Sequence, residues 1–341
     1  MTTVSVFGLG YVGSVSAACL ADSGSNVLGV DVNPAKVDAI NAGRSPIVEE
    51  GLDELMARGI SENRLRAITD VREGVHSSEI SLICVGTPSR ANGGLDLSAV
   101  ERVAENIGHA LADKESYHVV VVRSTMLPGS TEDLVIPLLE KYSTKRAGGD
   151  FGVCYNPEFL REGSSIRDFH RPPYTVIGGS DTAANDLLAG LYQGVEAPVV
   201  TTSFRVAEML KYASNSYHAL KIVFANEMGA LCKEQGIDSH ELMDLFCQDT
   251  KLNVSSAYLK PGFAFGGSCL PKDLRAVLHH ARRLDLDLPV LEAILPSNDR
   301  QVQTARWKAF SITPRWSSSG TPIRNSPMWC PVGVMARRTS T

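Results

Sequence analysis

The fold of this chain is predicted by one N-terminal stretch, Val4-Ser5-Val6-Phe7-Gly8-Leu9-Gly10-Tyr11-Val12-Gly13. A short β-rich run leads into a G-x-G-x-x-G pattern, and an alanine-rich helical stretch follows it. In a strand, glycine loop and helix of this kind, backbone amides and the helix N-terminus hold a pyrophosphate. The glycine pattern alone is a weak signal, so the segments around it have to support the interpretation.

A second strand at residues 26–30 ends on Asp31. An acid about 20 residues past the glycines is placed to hold the ribose hydroxyls of an adenosine. Because its carboxylate repels a 2′-phosphate, we expect NAD rather than NADP; the alternative is an ordinary acid in a surface turn. Lys36 either contacts the same adenosine end or is a solvated helix charge, and the sequence favours neither.

Two more apolar strands, at residues 80–85 and 119–122, each run into a polar turn. Continuous β-branched runs are typical of a parallel sheet covered on both faces, where ligands bind beyond the carboxyl ends of the strands. Thr87 and Thr125 in these turns are therefore candidate cofactor or substrate contacts, unless they are plain turn or cap residues.

The segment 155–163 combines a strand end with two acids, Glu158 and Glu162. If a helix follows Pro157, their spacing of four places both carboxylates on one face. They then supply either a base and a substrate contact or simple solvated charge.

One long helix is predicted from Ser203 to residue 235, with Ser203 as N-cap and Gly236 as the stop. Lys211, Asn215 and His218 form one polar stripe along it. A cation, an amide and an imidazole together are what an oxyanion site requires. The alternatives are a surface ion pair between Lys211 and Glu208 and a structural role for His218.

The stretch 262–273 contains the candidate nucleophile, Cys269. A glycine pair precedes it, and Pro271-Lys272-Asp273 is typical of the first turn of a helix. A cysteine just outside a helix N-terminus and close to a lysine is favoured in its reactive thiolate form. The alternative is an inert buried cysteine.

Composition excludes several classes of protein. The chain has 341 residues, 43% of them hydrophobic, and a net charge of −5, so we expect at least two domains and no nucleic-acid partner. Seven cysteines without CxxC spacing predict neither zinc nor disulfides and favour a reducing cytoplasm. Adjacent His279 and His280 point in different directions on a helix, so no metal is expected. No segment resembles a membrane span, and residues 4–21 lack the basic leader of a signal peptide.

Together these elements resemble the UDP-glucose/GDP-mannose dehydrogenase family over about residues 1–304. Five motifs carry the resemblance: Gly8-Leu9-Gly10-Tyr11-Val12-Gly13, Ile83-Cys84-Val85-Gly86-Thr87-Pro88, Asn156-Pro157-Glu158-Phe159-Leu160, Glu208-Met209-Leu210-Lys211-Tyr212 and Gly266-Gly267-Ser268-Cys269. The last of these motifs is highly specific to the family.

The resemblance implies a four-electron oxidation of a sugar C6 alcohol to a carboxylate, with two NAD used in succession. It is strongest to members that convert GDP-mannose to GDP-mannuronate for alginate-type polysaccharides, and the alternative substrate is UDP-glucose. In this chemistry a cysteine traps the intermediate aldehyde as a thiohemiacetal, which is oxidised to a thioester and hydrolysed.

The resemblance also assigns roles by position. Cys269 is the nucleophile, Lys211 and Asn215 stabilise the oxyanions at C6, and Asp273 and Glu158 serve proton transfer and water activation, with Thr125 holding the water. The expected cofactor contacts are Gly8, Gly10, Tyr11, Val12, Gly13, Asp31, Lys36, Thr87, Thr125 and Lys272. The expected substrate contacts are Glu162, Lys211, Asn215, His218, Asn226, Tyr258 and Gly262.

The chain departs from the GDP-mannose pattern at Ala257, where an aromatic is usual, and at Lys260, where an arginine is usual. Lysine keeps the positive charge but cannot form the two parallel hydrogen bonds of a guanidinium.

The expected fold is α/β. A Rossmann-type parallel sheet forms residues 1–202, and a helical central domain, which forms a homodimer through its long helix, covers residues 203–300. The family's third, nucleotide-binding domain has no counterpart, so nucleotide-sugar binding and activity are expected to suffer. Residues 301–341 are expected to be an aberrant, disordered tail.

The tail has its own composition. All three tryptophans lie in residues 306–341, together with six of the 33 Lys and Arg and none of the 38 Asp and Glu. Our hypothesis is a shifted reading frame from about residue 305; the alternative is a basic tail that binds an acidic partner. Two further alternatives for the whole chain are a β-hydroxyacid dehydrogenase, which needs no cysteine, and a non-catalytic NAD-binding or dimerising fragment.

Overall fold

The structure is a computed structural model that describes residues 2–234, 236–250, 262–283, 285 and 288–311. Within these residues, one sheet is built from eight strands: β1 (Thr3–Phe7), β2 (Asn26–Val30), β3 (Leu65–Ile68), β4 (Ile80–Ile83), β5 (Val119–Val122), β6 (Gly152–Tyr155), β7 (Thr175–Gly178) and β8 (Val199–Thr202). Their order is β3-β2-β1-β4-β5-β6-β7-β8. Strands β1 to β6 are mutually parallel, which confirms the predicted sheet, whereas β7 pairs antiparallel to β6.

Helices cover both faces of the sheet and continue beyond it. They are α1 (Tyr11–Asp22), α2 (Pro34–Asn41), α3 (Leu52–Ser61), α4 (Val71–His76), α5 (Ser98–Ala112), α6 (Ile136–Ser143), α7 (Ser165–His170), α8 (Thr182–Gly190), α9 (Phe204–Glu234), α10 (Ser239–Phe246), α11 (Cys269–Arg283) and α12 (Pro289–Ser311). A π-helical turn, Thr131–Val135, leads into α6.

Strand β5 shows why its sequence is apolar at every position. Val119 and Val121 pack into the cluster that contains α1 and α3, while Val120 and Val122 pack into the cluster on the other face with α5 and α6. Because both faces of the sheet are buried, alternation of polar and apolar residues would leave polar groups in one of the two cores.

Glycines let the first strand, loop and helix approach one another closely. Gly8 has a φ of +93°, a conformation that few other residues adopt. A Cβ at Gly13 would lie 1.8 Å from the carbonyl oxygen of Gly8, whereas one at Gly10 would meet nothing within 4 Å. The first and third glycines are therefore required by packing, and Gly10 leaves open space in front of α1.

Helix α9 is anchored to the sheet by Glu208. The helix follows Ser203 and ends before Gly236, as predicted. The buried carboxylate of Glu208 accepts hydrogen bonds from the Gly129 amide at 2.6 Å, the Thr131 amide at 2.8 Å and the Thr131 hydroxyl at 2.7 Å. These bonds join α9 to the turn that follows β5.

Helices α11 and α12 pack on the second half of α9. Their shared core contains Ala219 and Val223 of α9, Leu274 and Leu278 of α11 and Ile294 of α12, together with Phe265. Helix α12 continues to residue 311 and so crosses the boundary at residue 301, where we expected an irregular tail to begin. Of the helices that the structure describes, none combines the length and the apolar character needed to cross a bilayer.

The close packing at Gly13 can be tested against the open space at Gly10. Gly13→Ala forces the new Cβ into the Gly8 carbonyl, so we expect it to destabilise the fold by about 3 kcal/mol or more. Gly10→Ala should change stability by less than about 1 kcal/mol. Urea denaturation of both variants measures the difference, and equal stabilities would contradict this account of the turn.

Candidate active site

The site lies where the order of the sheet strands reverses, between β1 and β4. Ligands of doubly wound sheets bind at this point, beyond the carboxyl ends of the strands. The Thr87 hydroxyl donates to the carbonyl of Thr125 at 2.8 Å, and the Ser124 hydroxyl donates to the carbonyl of Val85 at 2.7 Å. The two threonines that the sequence singled out therefore lie side by side at this edge.

Asp31 lies at the opposite end of the glycine loop. Its buried carboxylate accepts the amide of Leu9 at 2.7 Å and the amide of Asn33 at 2.9 Å. The ammonium of Lys36 lies 3.2 Å from the same carboxylate. Both residues are thus held beside the glycine loop, where an adenosine ribose is expected.

These residues fit NAD. The space in front of Gly10 is open, and the first turn of α1, with Tyr11 and Val12, contains no acidic side chain to repel a pyrophosphate. The carboxylate of Asp31 is positioned for ribose hydroxyls, and its charge disfavours a phosphate on them.

Lys211 forms the central ion pair of the site. Its ammonium lies 2.8 Å from Oε1 of Glu158, and both side chains are buried. The same ammonium lies 5.6 Å from the centre of the Phe159 ring. The alternative of a surface pair with Glu208 is wrong, because Glu208 is buried and bonded to the turn after β5.

The condition that would place Glu158 and Glu162 on one helix face, a helix directly after Pro157, is not met. Residues 156–161 are irregular, and the next helix, α7, begins only at Ser165. Oε2 of Glu158 accepts the Leu160 amide at 2.7 Å, a local bond that competes with helix formation. Glu158 is therefore buried while Glu162 is exposed, and the two do not share a helix face.

The environment keeps Glu158 ionised. Burial raises the pKa of its carboxyl, but the Lys211 charge, the Lys211 hydrogen bond and the Leu160 amide outweigh burial and lower the pKa below its usual value. A carboxylate at neutral pH is thus available beside a lysine.

A second pair links α9 to α11. Asn215 donates a hydrogen bond from Nδ2 to Oδ2 of the buried Asp273. Nζ of Lys272 lies 3.1 Å from the other carboxylate oxygen of Asp273. Asn215 follows Lys211 by one helical turn, so the amide and the ammonium project from the same face of α9.

Cys269 precedes Asp273 by one turn on the same face of α11. The helix begins at Cys269 itself, not after it as predicted, and Pro271 is its third residue. A proline is tolerated there because amides of the first turn have no helical partner.

Exposure distinguishes Cys269 from the other cysteines. Among the described residues, Cys19, Cys84, Cys154 and Cys232 are buried and Cys247 is partly so, whereas Cys269 is exposed. Burial raises the pKa of Cys19, Cys84 and Cys154 to about 12, so these thiols stay protonated.

Amide side chains hold the loop in front of Cys269. Asn226 accepts the Gly262 amide at 2.7 Å and donates to the Phe263 carbonyl at 3.3 Å. Asn298 accepts the Phe265 amide at 2.8 Å and donates to its carbonyl at 3.0 Å. No local sequence pattern indicated a role for Asn298, because its partner is 33 residues away. Tyr258, Ala257 and Lys260 lie outside the described residues.

His218 completes the polar stripe of α9 and is half-buried. Burial lowers its pKa to about 4, and the charges of Lys221, Lys211 and Arg161 act in the same direction. The imidazole is therefore neutral at physiological pH. The described part of the chain contains no cluster of three or more metal-binding side chains.

The chain matches known proteins over most of its length. Residues 2–196 match the NAD binding domain of the UDP-glucose/GDP-mannose dehydrogenase family, and residues 205–300 match its central domain. The chain is 52% identical over 302 residues to GDP-mannose 6-dehydrogenase of Pseudomonas savastanoi pv. phaseolicola, which covers 89% of this chain and 69% of that protein.

Solved structures give the same picture. A ternary complex of GDP-mannose dehydrogenase from Pseudomonas aeruginosa is 51% identical, with a TM-score of 0.73 over 92% of this chain and 72% of that one. A UDP-glucose dehydrogenase from Pyrobaculum islandicum is 39% identical, with a TM-score of 0.86 over 92% of this chain and 73% of that one.

The buried pair predicts a specific pattern of stabilities. Lys211→Met leaves Glu158 buried without its partner, so we expect a loss of about 3–5 kcal/mol. Lys211→Met combined with Glu158→Gln should recover a large part of that loss. Chemical denaturation of the two single variants and the double variant measures the coupling, and simple additivity would contradict the pairing.

The same pair predicts the direction of a pH effect. Because the folded state lowers the pKa of Glu158, its contribution to stability is complete above the unfolded pKa and is lost as the pH falls through the folded one. Glu158→Gln should therefore weaken the acid dependence of stability, which is measured by denaturation between about pH 3 and 6.

Proposed function

Because the chain belongs to the UDP-glucose/GDP-mannose dehydrogenase family and is an NAD-dependent nucleotide-sugar 6-dehydrogenase, we propose a specific substrate for it. We propose that it oxidises GDP-mannose to GDP-mannuronate. The mechanism is supported mainly by the hydrogen bond between Asn215 and Asp273. Asp273 lies one helical turn from the exposed Cys269. The hydrogen bond brings the polar face of α9 against the helix of the candidate nucleophile.

NAD supplies the oxidant, with each of two successive molecules taking a hydride from C6 of the sugar. In both oxidation steps negative charge develops on the oxygen attached to C6. The ammonium of Lys211 and the amide of Asn215 project from one face of α9 and stabilise that charge. Asp273 keeps the amide of Asn215 oriented and is a candidate acceptor for protons released at the oxygen.

Cys269 lets the same carbon be oxidised twice. Its sulfur adds to the aldehyde carbon, forming a C–S bond and giving a thiohemiacetal. Loss of the second hydride to NAD, together with the hydroxyl proton, leaves a thioester. Water then attacks the carbonyl carbon, the C–S bond breaks, and the products are the carboxylate and the free thiol. Each sugar consumes two NAD and one water.

Glu158 is the candidate base for that water. Its lowered pKa keeps it ionised at neutral pH, and its partner Lys211 faces the same site. The turn with Thr125 offers a hydroxyl to hold the water. His218, neutral because burial lowers its pKa, contacts a sugar hydroxyl, and exposed Glu162 contacts another.

Two comparisons favour different sugars. Sequence identity is higher to the GDP-mannose enzymes, whereas the backbone superposes better on a UDP-glucose enzyme. We give more weight to identity, because side chains recognise a substrate and a TM-score reports the backbone. UDP-glucose is the alternative substrate.

We also propose that α9 forms a homodimer. Val206, Met209, Tyr217 and Phe224 lie along one side of this helix and are each at least 38% exposed. An apolar stripe of this kind is typical of a face that another chain covers. We place the enzyme in the cytoplasm, supplying uronate precursors of an alginate-type polysaccharide.

The stoichiometry of NADH tests the chemistry. With purified protein, GDP-mannose and UDP-glucose side by side, we expect two NADH per GDP-mannose. Cys269→Ala should reduce uronate formation by roughly 1,000-fold or more, because no covalent intermediate forms.

The control for that experiment is Cys247→Ala, which changes the partly buried cysteine that directly follows α10. Its activity should match the parent chain. Unchanged uronate formation in Cys269→Ala would contradict the mechanism, and a preference for UDP-glucose would overturn the choice of sugar.

Introducing negative charge into the apolar stripe of α9 tests the proposed dimer. Val206 is 55% and Met209 44% exposed, so Val206→Glu with Met209→Glu should leave folding intact and shift the chain from dimer to monomer. Light scattering after size exclusion measures the mass. Val290→Glu, on α12 and 61% exposed, is the matched control and should stay dimeric. A monomeric parent chain would rule out the interface.

A further inference from the structure

We propose that Glu49 is a positioning residue that joins the glycine loop of the cofactor site to the loop of residues 161–165 at the sugar site. Its carboxylate holds Tyr11 on one side and the backbone of the loop on the other. Occupancy by the dinucleotide thereby sets the position of Glu162. The role of Glu162 as a sugar contact rests on the proposed function.

The contacts of Glu49 are short and come from separate parts of the chain. The Tyr11 hydroxyl donates to Oε2 of Glu49 at 2.7 Å, and the Gly163 amide donates to the same oxygen at 2.8 Å. The Ser165 amide donates to Oε1 at 2.8 Å. One carboxylate thus bonds to a helix start 38 residues away and to a loop more than 110 residues away.

Tyr11 is well placed to sense a dinucleotide. It is the first residue of α1 and directly follows Gly10, in front of which the pyrophosphate space is open. Its hydroxyl oxygen also lies 3.4 Å from the carbonyl oxygen of Arg161. Because the single hydroxyl proton goes to the nearer acceptor, Glu49, a shift of this ring on cofactor binding acts on the loop through Glu49.

Apart from Glu49, the side chain that holds this loop is Asp168, which also accepts the Arg161 amide and the Ser164 hydroxyl. Arg161, Glu162 and Gly163 are exposed, and Gly163 has a φ of +83°. The guanidinium of Arg161 bonds to Asp168 at 2.6 and 2.9 Å, which holds one end of the loop against α7. The Gly163 and Ser165 amides, which flank the turn after Glu162, are held by Glu49.

The charge state of Glu49 supports this role. Burial raises the pKa of its carboxyl, but the Tyr11 hydroxyl and the Gly163 and Ser165 amides outweigh burial and lower it. Burial also raises the pKa of Tyr11, so the tyrosine keeps its proton and donates it to the carboxylate. At neutral pH the donors and the acceptor therefore match.

The consequence is thermodynamic coupling. If dinucleotide binding fixes Tyr11 and thereby the loop, a bound sugar must favour dinucleotide binding by the same factor. Replacing Oε2 of Glu49, which Tyr11 and Gly163 share, should remove this coupling factor. Glu49 itself touches the reacting atoms of neither ligand.

The test measures backbone hydrogen exchange and ligand affinity on the full chain. We expect NAD to slow exchange of the 161–165 amides by roughly tenfold in the parent chain, and Glu49→Gln to abolish the slowing. KM for the sugar should rise by roughly tenfold while kcat stays within about threefold. Glu50→Gln, at the exposed neighbouring acid, is the matched control and should behave like the parent.

Tyr11→Phe removes a single hydroxyl and keeps the test valid if Glu49→Gln folds poorly. The double variant Tyr11→Phe with Glu49→Gln should lose no more coupling than Glu49→Gln alone. Additive losses, or loop exchange that NAD does not change in the parent chain, would overturn the proposal. Hydrogen exchange and NAD affinity can be measured without turnover. A chain that binds NAD but does not oxidise the sugar therefore tests the coupling independently of the proposed function.

Discussion

The ion pair between Lys211 and Glu158 is the interaction on which the arrangement of this site depends. Two opposite charges are buried together, one from the long helix and one from the irregular segment after β6. Because isolated charges are expensive to bury, neither residue is stable in its position without the other. The pair therefore fixes how the helical half of the chain meets the sheet, and it leaves a lysine and an ionised carboxylate at the same place.

Bonds from side chains to the backbone maintain this arrangement. Glu208 joins α9 to the turn after β5, and Asn226 and Asn298 hold the loop before Cys269. Buried amides and carbonyls in loops need partners, and each of these side chains supplies them. The loop that presents the thiol is thereby ordered by α9, the helix that also contains Lys211 and Asn215, and by α12. Glu49 has a comparable position between two loops.

The environment of each titratable group follows from the same packing. Glu158 and Glu49 are ionised because donors outweigh burial and lower their pKa values, whereas burial lowers the pKa of His218 and raises the pKa of three cysteines, Cys19, Cys84 and Cys154. One chain thus presents carboxylates, a neutral imidazole and an exposed thiol at neutral pH. This combination suits a reaction that needs proton transfer, oxyanion stabilisation and covalent capture within one site.

Four strands of the parallel sheet (β1, β2, β4 and β5), the end of β6, the long helix and the polar stripe on it could all be predicted from the sequence. Those features depend on local periodicity, on glycines at turns and on caps, which a short stretch of chain encodes. The sequence also singled out Asp31 and Cys269 by their neighbours along the chain. The pairing of Lys211 with Glu158, the irregular segment after Pro157 and the loop contacts of Glu49 and Asn298 became visible only in the folded chain. These contacts join residues far apart in the chain, and desolvation on burial selects among partners that local sequence leaves equivalent.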